Sequence, residues 1–138
     1  DALYASAHAF VYPTLGEGFG LTLAEALTSG LPCVATQYGG HLQFATHKNC
    51  VLVPAEIKHM RPSRDEPSTL PDGRYRFAAL NPLTLGEAML GVMRNYDRAL
   101  ELGRRGARDL RAFTWARTAE TLMRILEREH RRLMRKAA

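Results

Sequence analysis

Short apolar runs alternate with helical spacing over the first 54 residues. Ala9 to Pro13 carries Val11 and Tyr12, is bounded by Pro13 and Gly16, and predicts a buried strand. A helix is expected next, from about Gly20 to Ser29, closed by Gly30 as its C-terminal cap and by Pro32. Pro32 to Thr36 repeats the strand signature, Gly39-Gly40 turns the chain, and a short helix from about His41 precedes a third run, Cys50 to Pro54. Three apolar strands separated by helices predict a parallel sheet with crossover connections, an α/β fold. Residues 1 to 8 read as the tail of a helix already under way. With Asp1 rather than methionine in front, the chain is expected to be a piece of a longer protein.

The pattern breaks between Glu56 and Leu80, where Pro62, Pro67 and Pro71 interrupt a polar stretch that ends in the turn dipeptide Asp72-Gly73. Residues 56–80 are therefore expected to form a surface insertion. Asn81-Pro82 supplies a helix start with proline in the first turn, and Leu83, Ala88, Leu90 and Met93 are expected to mark the buried side of that helix. Two further helices are predicted, from about Arg98 to Ala112 and from Trp115 to Met134, the latter filling the C-terminal segment 114–138. Along it Trp115, Ala119, Leu122, Leu126 and Leu133 recur at helical spacing.

Composition narrows the class. At 138 residues, 46% hydrophobic and 24% charged, the chain has apolar surface enough for a core, which excludes disorder as its overall description. No run approaches the roughly 18 to 20 uncharged apolar residues that spanning a bilayer requires, and the first residues do not show the basic, apolar and small-residue succession of a secretory signal. Two cysteines, Cys33 and Cys50, make no disulfide framework, so a cytoplasmic location is expected, with the inner face of a membrane left open. The net charge of +5 is uneven. Residues 94–138 hold thirteen basic against six acidic side chains, and residues 1–93 hold six against eight. A basic helical tail suits nucleic acid, an anionic membrane surface or an acidic partner. The interleaving of Arg and Glu from Arg124 to Glu129 suits a solvated helix face instead, and no specific nucleic acid is expected.

The chemistry concentrates in Tyr12-Pro13-Thr14-Leu15-Gly16-Glu17-Gly18-Phe19-Gly20-Leu21-Thr22-Leu23-Ala24-Glu25. A glycine-rich turn between a strand and a helix N-terminus offers free backbone N–H groups and the positive end of the helix dipole to an anion such as phosphate. Gly16-Glu17-Gly18 begins the dinucleotide pattern, but its sixth position is Leu21, and the next strand ends at Gln37 rather than at an acidic residue. The P-loop fails too, because no Gly-Lys-Ser or Gly-Lys-Thr occurs. Glu25 is the only charged residue from Phe19 to Leu31, in a helix expected to be too apolar for a solvated element. A carboxylate there wants donors, and the two hydroxyls of a ribose supply a pair. Glu17 sits in the turn, within reach of a group bound beside the phosphates.

Glu17 and Glu25 with seven residues between them, inside Glu17-Gly18-Phe19-Gly20-Leu21 and Glu25-Ala26-Leu27-Thr28-Ser29-Gly30-Leu31-Pro32-Cys33-Val34-Ala35, resemble the donor-site signature of retaining family-4 glycosyltransferases (glycosyl transferases group 1) of the GT-B fold. The likeness continues through Gly39-Gly40, Val51 to Pro54, Leu85 to Met93 and Phe113-Thr114-Trp115. It implies that the chain is part of the C-terminal, nucleotide-sugar-binding domain, with an α/β fold of partial Rossmann-like type. The backbone at Gly18, Phe19, Gly20 and Leu21 would then hold the donor's sugar and diphosphate, with Thr22 adding a hydroxyl. Glu17 would orient the transferred sugar, and Glu25 would bind the nucleotide ribose. No metal or other cofactor is implied, since basic side chains and helix dipoles neutralise the leaving diphosphate. The chain departs from the family at Gln43, where an acidic residue is frequent, at Cys50, where glycine is, and in the length of segment 56–80. The acceptor-binding N-terminal domain and the first half of the donor domain lie outside the chain, which is expected to hold half of a donor site.

Other residues carry less. His47 and Cys50 are two ligands and do not make a zinc site. His8, His41, His59 and His130 are scattered; His41 follows Gly39-Gly40 and is within range of the donor site, although a surface role is expected for it. Trp115 and Phe113 are expected to be packing anchors rather than a base-stacking platform. Two other functions stay open: a nucleotide-sugar epimerase of related fold, and a non-catalytic basic module binding nucleic acid or membrane through residues 94–138.

Overall fold

The three predicted apolar runs form one parallel sheet. In the computed structural model, which describes residues 2–60 and 75–137, β1 (Phe10–Tyr12), β2 (Cys33–Thr36) and β3 (Val51–Val53) lie in the order β1-β2-β3. Phe10 pairs with Cys33, and Val34 pairs with both Val11 and Val51. All four residues of β2 are buried, which is why the central strand reads as a continuous apolar run rather than an alternation. A short helix α1 (Ala2–Ser6) precedes β1, α2 (Leu21–Thr28) joins β1 to β2, and a 3-10 turn (Gly40–Gln43) leads toward β3.

Helices cover both faces of this sheet. Leu23, Ala26 and Leu27 of α2 join Cys33, Ala35, Phe44 and Leu52 on one face. Each leucine buried this completely contributes roughly 1.5 to 3 kcal/mol. On the other face Val34 and Val53 meet Val92 and Ala99, with Leu85 and Ala88 beside them. Those residues come from α3 (Pro82–Arg94) and α4 (Tyr96–Asp109), after which a 3-10 turn (Leu110–Ala112) precedes α5 (Trp115–Ala137). The small residues Gly103 and Gly106 of α4 let it lie directly on Gly30, Leu31 and Leu27. As predicted, α3 starts on an Asn81 cap, whose side chain accepts from Leu83 N at 2.9 Å, with proline in the first turn.

Three expectations, for the buried side of α3, for Trp115 and for His41, need correction. The buried side of α3 is Leu85, Ala88 and Val92, whereas Leu83 and Met93 are 77% and 73% exposed and Leu90 is also exposed. At about 100° per residue these are two opposite apolar stripes, and periodicity alone does not choose between them. The ends of segment 56–80 belong to a two-stranded antiparallel sheet, β4 (Ala55–Met60) with β5 (Tyr75–Leu80), in register from Ala55↔Leu80 to Met60↔Tyr75. β4 is exposed at nearly every position, so it shows no alternation to read. Pro62, Pro67, Pro71 and Asp72-Gly73 lie outside the described residues. Trp115 is 89% exposed and anchors nothing, and the apolar stripe of α5 faces outward along the helix. His41, expected at the surface, is fully buried.

The charge pattern of α5 is the one read from the sequence. Arg131 pairs with Glu127, and both Arg128 and Arg132 pair with Glu129, all on exposed side chains. Among the described residues no helix is long and apolar enough to cross a membrane.

Candidate functional site

The parallel sheet presents the C-terminal ends of β1 and β2 along one edge, the place where open α/β sheets bind ligands. The loop leaving β1 at Tyr12 crosses that edge and is tied down by three separate elements. Thr36 at the end of β2 donates its hydroxyl to Thr14 O at 2.8 Å. Ala78 of the β4–β5 hairpin donates its N–H to Leu15 O at 2.7 Å, and Gly40 donates its N–H to Glu17 O at 2.9 Å. The hairpin that the sequence presents as a peripheral insertion thus supports the glycine-rich turn.

Two glycines in this region are required by geometry. Gly20 has φ 90°, in the left-handed region, and a Cβ on it would lie 2.9 Å from the Cβ of His41. Gly40 runs so close to Gly18 that a Cβ would overlap the Gly18 carbonyl oxygen and lie 2.6 Å from the carbonyl carbon. Gly20 precedes α2 and supplies no capping side chain, so the first N–H groups of α2 meet no side-chain acceptor at the cap.

Glu17, partly exposed, turns its carboxylate back over this turn. One oxygen accepts the Tyr12 hydroxyl and the other accepts Phe19 N–H at 3.3 Å. The Tyr12 bond, followed by the backbone N–H groups of Phe19, Gly20 and Gly18, holds the Glu17 carboxyl below the usual glutamate range despite some burial acting the other way. Burial and the same bond to Glu17 push the Tyr12 phenol up, so Tyr12 stays a neutral donor. The result is an ionised carboxylate fixed beside a helix N-terminus.

Glu25 departs from expectation. It lies on an open face of α2 with Leu21 and Thr28, at one-turn spacing, all exposed, while the apolar residues around it in sequence turn inward. Its Oε2 accepts the Tyr4 hydroxyl at 2.9 Å, a bond that raises the Tyr4 pKa. Thr22 is exposed as well, and its carbonyl lies 3.4 Å from the same hydroxyl. Phe19 and Leu21 stand 39% and 66% exposed, with the Phe19 ring 5.2 Å from that of Phe44. A groove of about 860 Å³ runs along this face of α2, between Phe19, Leu21 and Glu25 on one side and Phe113 and Trp115 on the other.

The structure therefore gathers Glu17, Gly18, Phe19, Gly20, Leu21 and Thr22 at one helix start and sets Glu25 one turn further along. Sequence reasoning missed Tyr4 and Tyr12, which hold the two carboxylates, and Thr36. Tyr12 was legible only as a strand residue; its place at the last position before the turn was the available signal. Among the described residues no three His, Cys, Asp or Glu side chains are grouped to hold a metal ion. His47 instead lies 3.4 Å from Gln37. The two thiols are buried, and burial pushes Cys33 far up and Cys50 up to about 12.

Comparison with known proteins bears on this segment. Residues 1–60 match the family model described as Glycosyl transferases group 1. The chain is 68% identical over 34 residues to sucrose synthase of Melioribacter roseus, a match covering 25% of this chain and 4% of that protein. It is 54% identical over 39 residues to sucrose synthase 2 of Zea mays, covering 28% and 5%, and 51% identical over 39 residues to sucrose synthase of Solanum tuberosum, with the same coverage. The chain thus matches only about one-twentieth of the length of these relatives. The part of the chain that bears the glycine-rich turn is similar to glycosyltransferases.

Proposed function

We propose that this chain is the donor-binding part of a retaining GT-B glycosyltransferase of family 4, which moves a sugar from a nucleotide-diphosphate sugar to an acceptor. The observation that carries the reading is an ionised Glu17 held by Tyr12 next to the uncapped start of α2. The α2 N–H groups and helix dipole receive the diphosphate, whose negative charge grows as the bond to the sugar breaks. Glu17 accepts from hydroxyls of the transferred sugar and fixes its orientation. One helical turn advances about 5.4 Å, which carries the donor from the phosphates to a ribose at Glu25. Glu25 Oε2 already accepts from Tyr4, and its other oxygen, which has no hydrogen-bond partner among the described residues, would accept a ribose hydroxyl.

In the transfer the bond from the anomeric carbon to the diphosphate oxygen breaks, an acceptor oxygen forms the new bond on the same face, and the acceptor's proton leaves with the diphosphate. The acceptor would be held by residues outside this chain, so the 138 residues alone are expected to transfer no sugar. The test is the full-length enzyme with Glu17→Ala: turnover should fall while affinity for the nucleoside diphosphate stays within about twofold. An equal loss of nucleotide affinity would show that Glu17 binds the nucleotide and does not orient the sugar.

A further inference from the structure

His41 is fully buried, and its surroundings are unusual for a histidine of the core. Its Nε2 lies 2.7 Å from the Thr36 carbonyl, which only accepts, so Nε2 carries the hydrogen. Nδ1 is then a bare acceptor in the neutral ring, and it is the buried side-chain nitrogen or oxygen that finds no hydrogen-bond partner among the described residues. A buried polar atom left unpaired is costly and calls for a reason.

The reason offered by the geometry is what the ring touches. The ring packs nearly perpendicular to that of Tyr12, with ring centroids 5.8 Å apart at 81°. Its Cβ lies under Gly20, so closely that only glycine fits above it, and its Nδ1 lies beside Gly39. Tyr12 supplies the hydroxyl that holds one oxygen of Glu17, and Gly20 follows Phe19, whose N–H holds the other. Gly40, next in sequence to His41, clasps the backbone of Glu17 and Gly18. Every contact that aims the Glu17 carboxylate therefore leads back to His41 or its neighbour.

We infer that His41 is a positioning residue for Glu17: its imidazole, anchored on the Thr36 carbonyl, fixes the Tyr12 ring whose hydroxyl aims the carboxylate, while its Cβ lies under Gly20. The ring packs against Tyr12 while the Cβ that carries it lies under Gly20, and the Nε2–H anchor fixes the ring's rotation. The unpaired Nδ1 is the cost of using an imidazole in that place. The effect on turnover rests on the reading of Glu17 as the group that orients the transferred sugar.

The experiment uses two variants of the full-length enzyme. His41→Gln keeps a donor for Thr36 but loses the ring, and His41→Phe keeps the ring but loses the donor. Folding of each is checked by circular dichroism. The first readout needs no reaction: the ring resonance of Tyr12, assigned with Tyr12→Phe, and the carboxyl titration of Glu17 by NMR. In His41→Gln the Tyr12 resonance should move and Glu17 should titrate closer to the ordinary glutamate range. His41→Phe, which keeps the ring and loses only its anchor on Thr36, should move both in the same direction but less; if the glutamine variant does not fold, signals unmoved in a folded His41→Phe would overturn the inference. Tyr12 and Glu17 signals unmoved in a folded His41→Gln, or displaced equally in His41→Phe, would overturn the inference.

The second readout is kinetic. His41→Gln should lower kcat roughly tenfold to a hundredfold with little change in nucleoside diphosphate affinity. In a Glu17→Ala background the same substitution should cost nothing further. Additive losses would refute positioning through Glu17. Signals that move while turnover does not would leave His41 as the support of Glu17 and refute the catalytic reading of that carboxylate.

Discussion

Tyr12, the last residue of β1, donates its hydroxyl to the carboxylate of Glu17, five residues further along the chain. That bond is the largest cause holding Glu17 below the usual glutamate range. A depressed carboxyl stabilises the fold above its unfolded-state value, and the contribution is lost as pH falls through the depressed one. Tyr12→Phe should therefore raise the Glu17 titration toward the ordinary value and move the acid limb of any Glu17-dependent activity to higher pH. The check is NMR titration of the Glu17 carboxyl in both proteins. An unchanged titration would show that the backbone N–H groups alone set its charge.

Two alanine substitutions should have opposite signs. A Cβ at Gly103 would run into the Gly30 carbonyl and lie 2.6 Å from the Leu31 carbonyl carbon, backbone that cannot step aside easily. Gly103→Ala should cost about 1 to 3 kcal/mol. Gly91 of α3 has nothing within 4 Å of its added Cβ, and Gly91→Ala should stabilise by about 0.4 to 1 kcal/mol. Denaturant unfolding of the two variants measures both. Equal shifts would mean that α4 does not lie on the α2–β2 turn as described.

The thiols should be inert in the native state. Cys33 and Cys50 are each about 1% exposed, and with its pKa near 12 Cys50 holds almost no thiolate at neutral pH. Alkylation by iodoacetamide should proceed only as fast as the protein unfolds, so that adding denaturant accelerates it sharply. Rapid labelling of either cysteine in the folded protein would contradict their burial at the start of β2 and just before β3.

Much of this was legible beforehand. The three strands, the cap at Asn81 and the spacing of Glu17 and Glu25 follow from local rules, because apolar runs, caps and glycine turns act over a few residues. Contacts between distant segments were not legible. Nothing near Leu15 in sequence announces that Ala78 will support it, and nothing near His41 says that Tyr12 and Gly20 will enclose it. Glu25 was misjudged for a related reason: an apolar neighbourhood in sequence becomes an inward face on a helix and leaves the carboxylate on the outward one. Trp115 shows the limit of residue type as a guide, since its size suggested burial and the structure leaves it exposed.

The function proposed for this chain turns on α2 carrying a nucleotide with its ribose at Glu25. The most direct measurement is calorimetric titration of the full-length enzyme with a nucleoside diphosphate and its 2′,3′-dideoxy analogue, against the parent and Glu25→Gln, after thermal stability is matched. Glu25→Gln keeps the size of the side chain but exchanges a charged acceptor for an amide donor, and it should weaken the diphosphate roughly tenfold. The dideoxy analogue should bind the parent poorly and be nearly indifferent to the substitution, so that the two penalties do not add. Penalties that add would contradict the account and leave Glu25 as a structural carboxylate held by Tyr4.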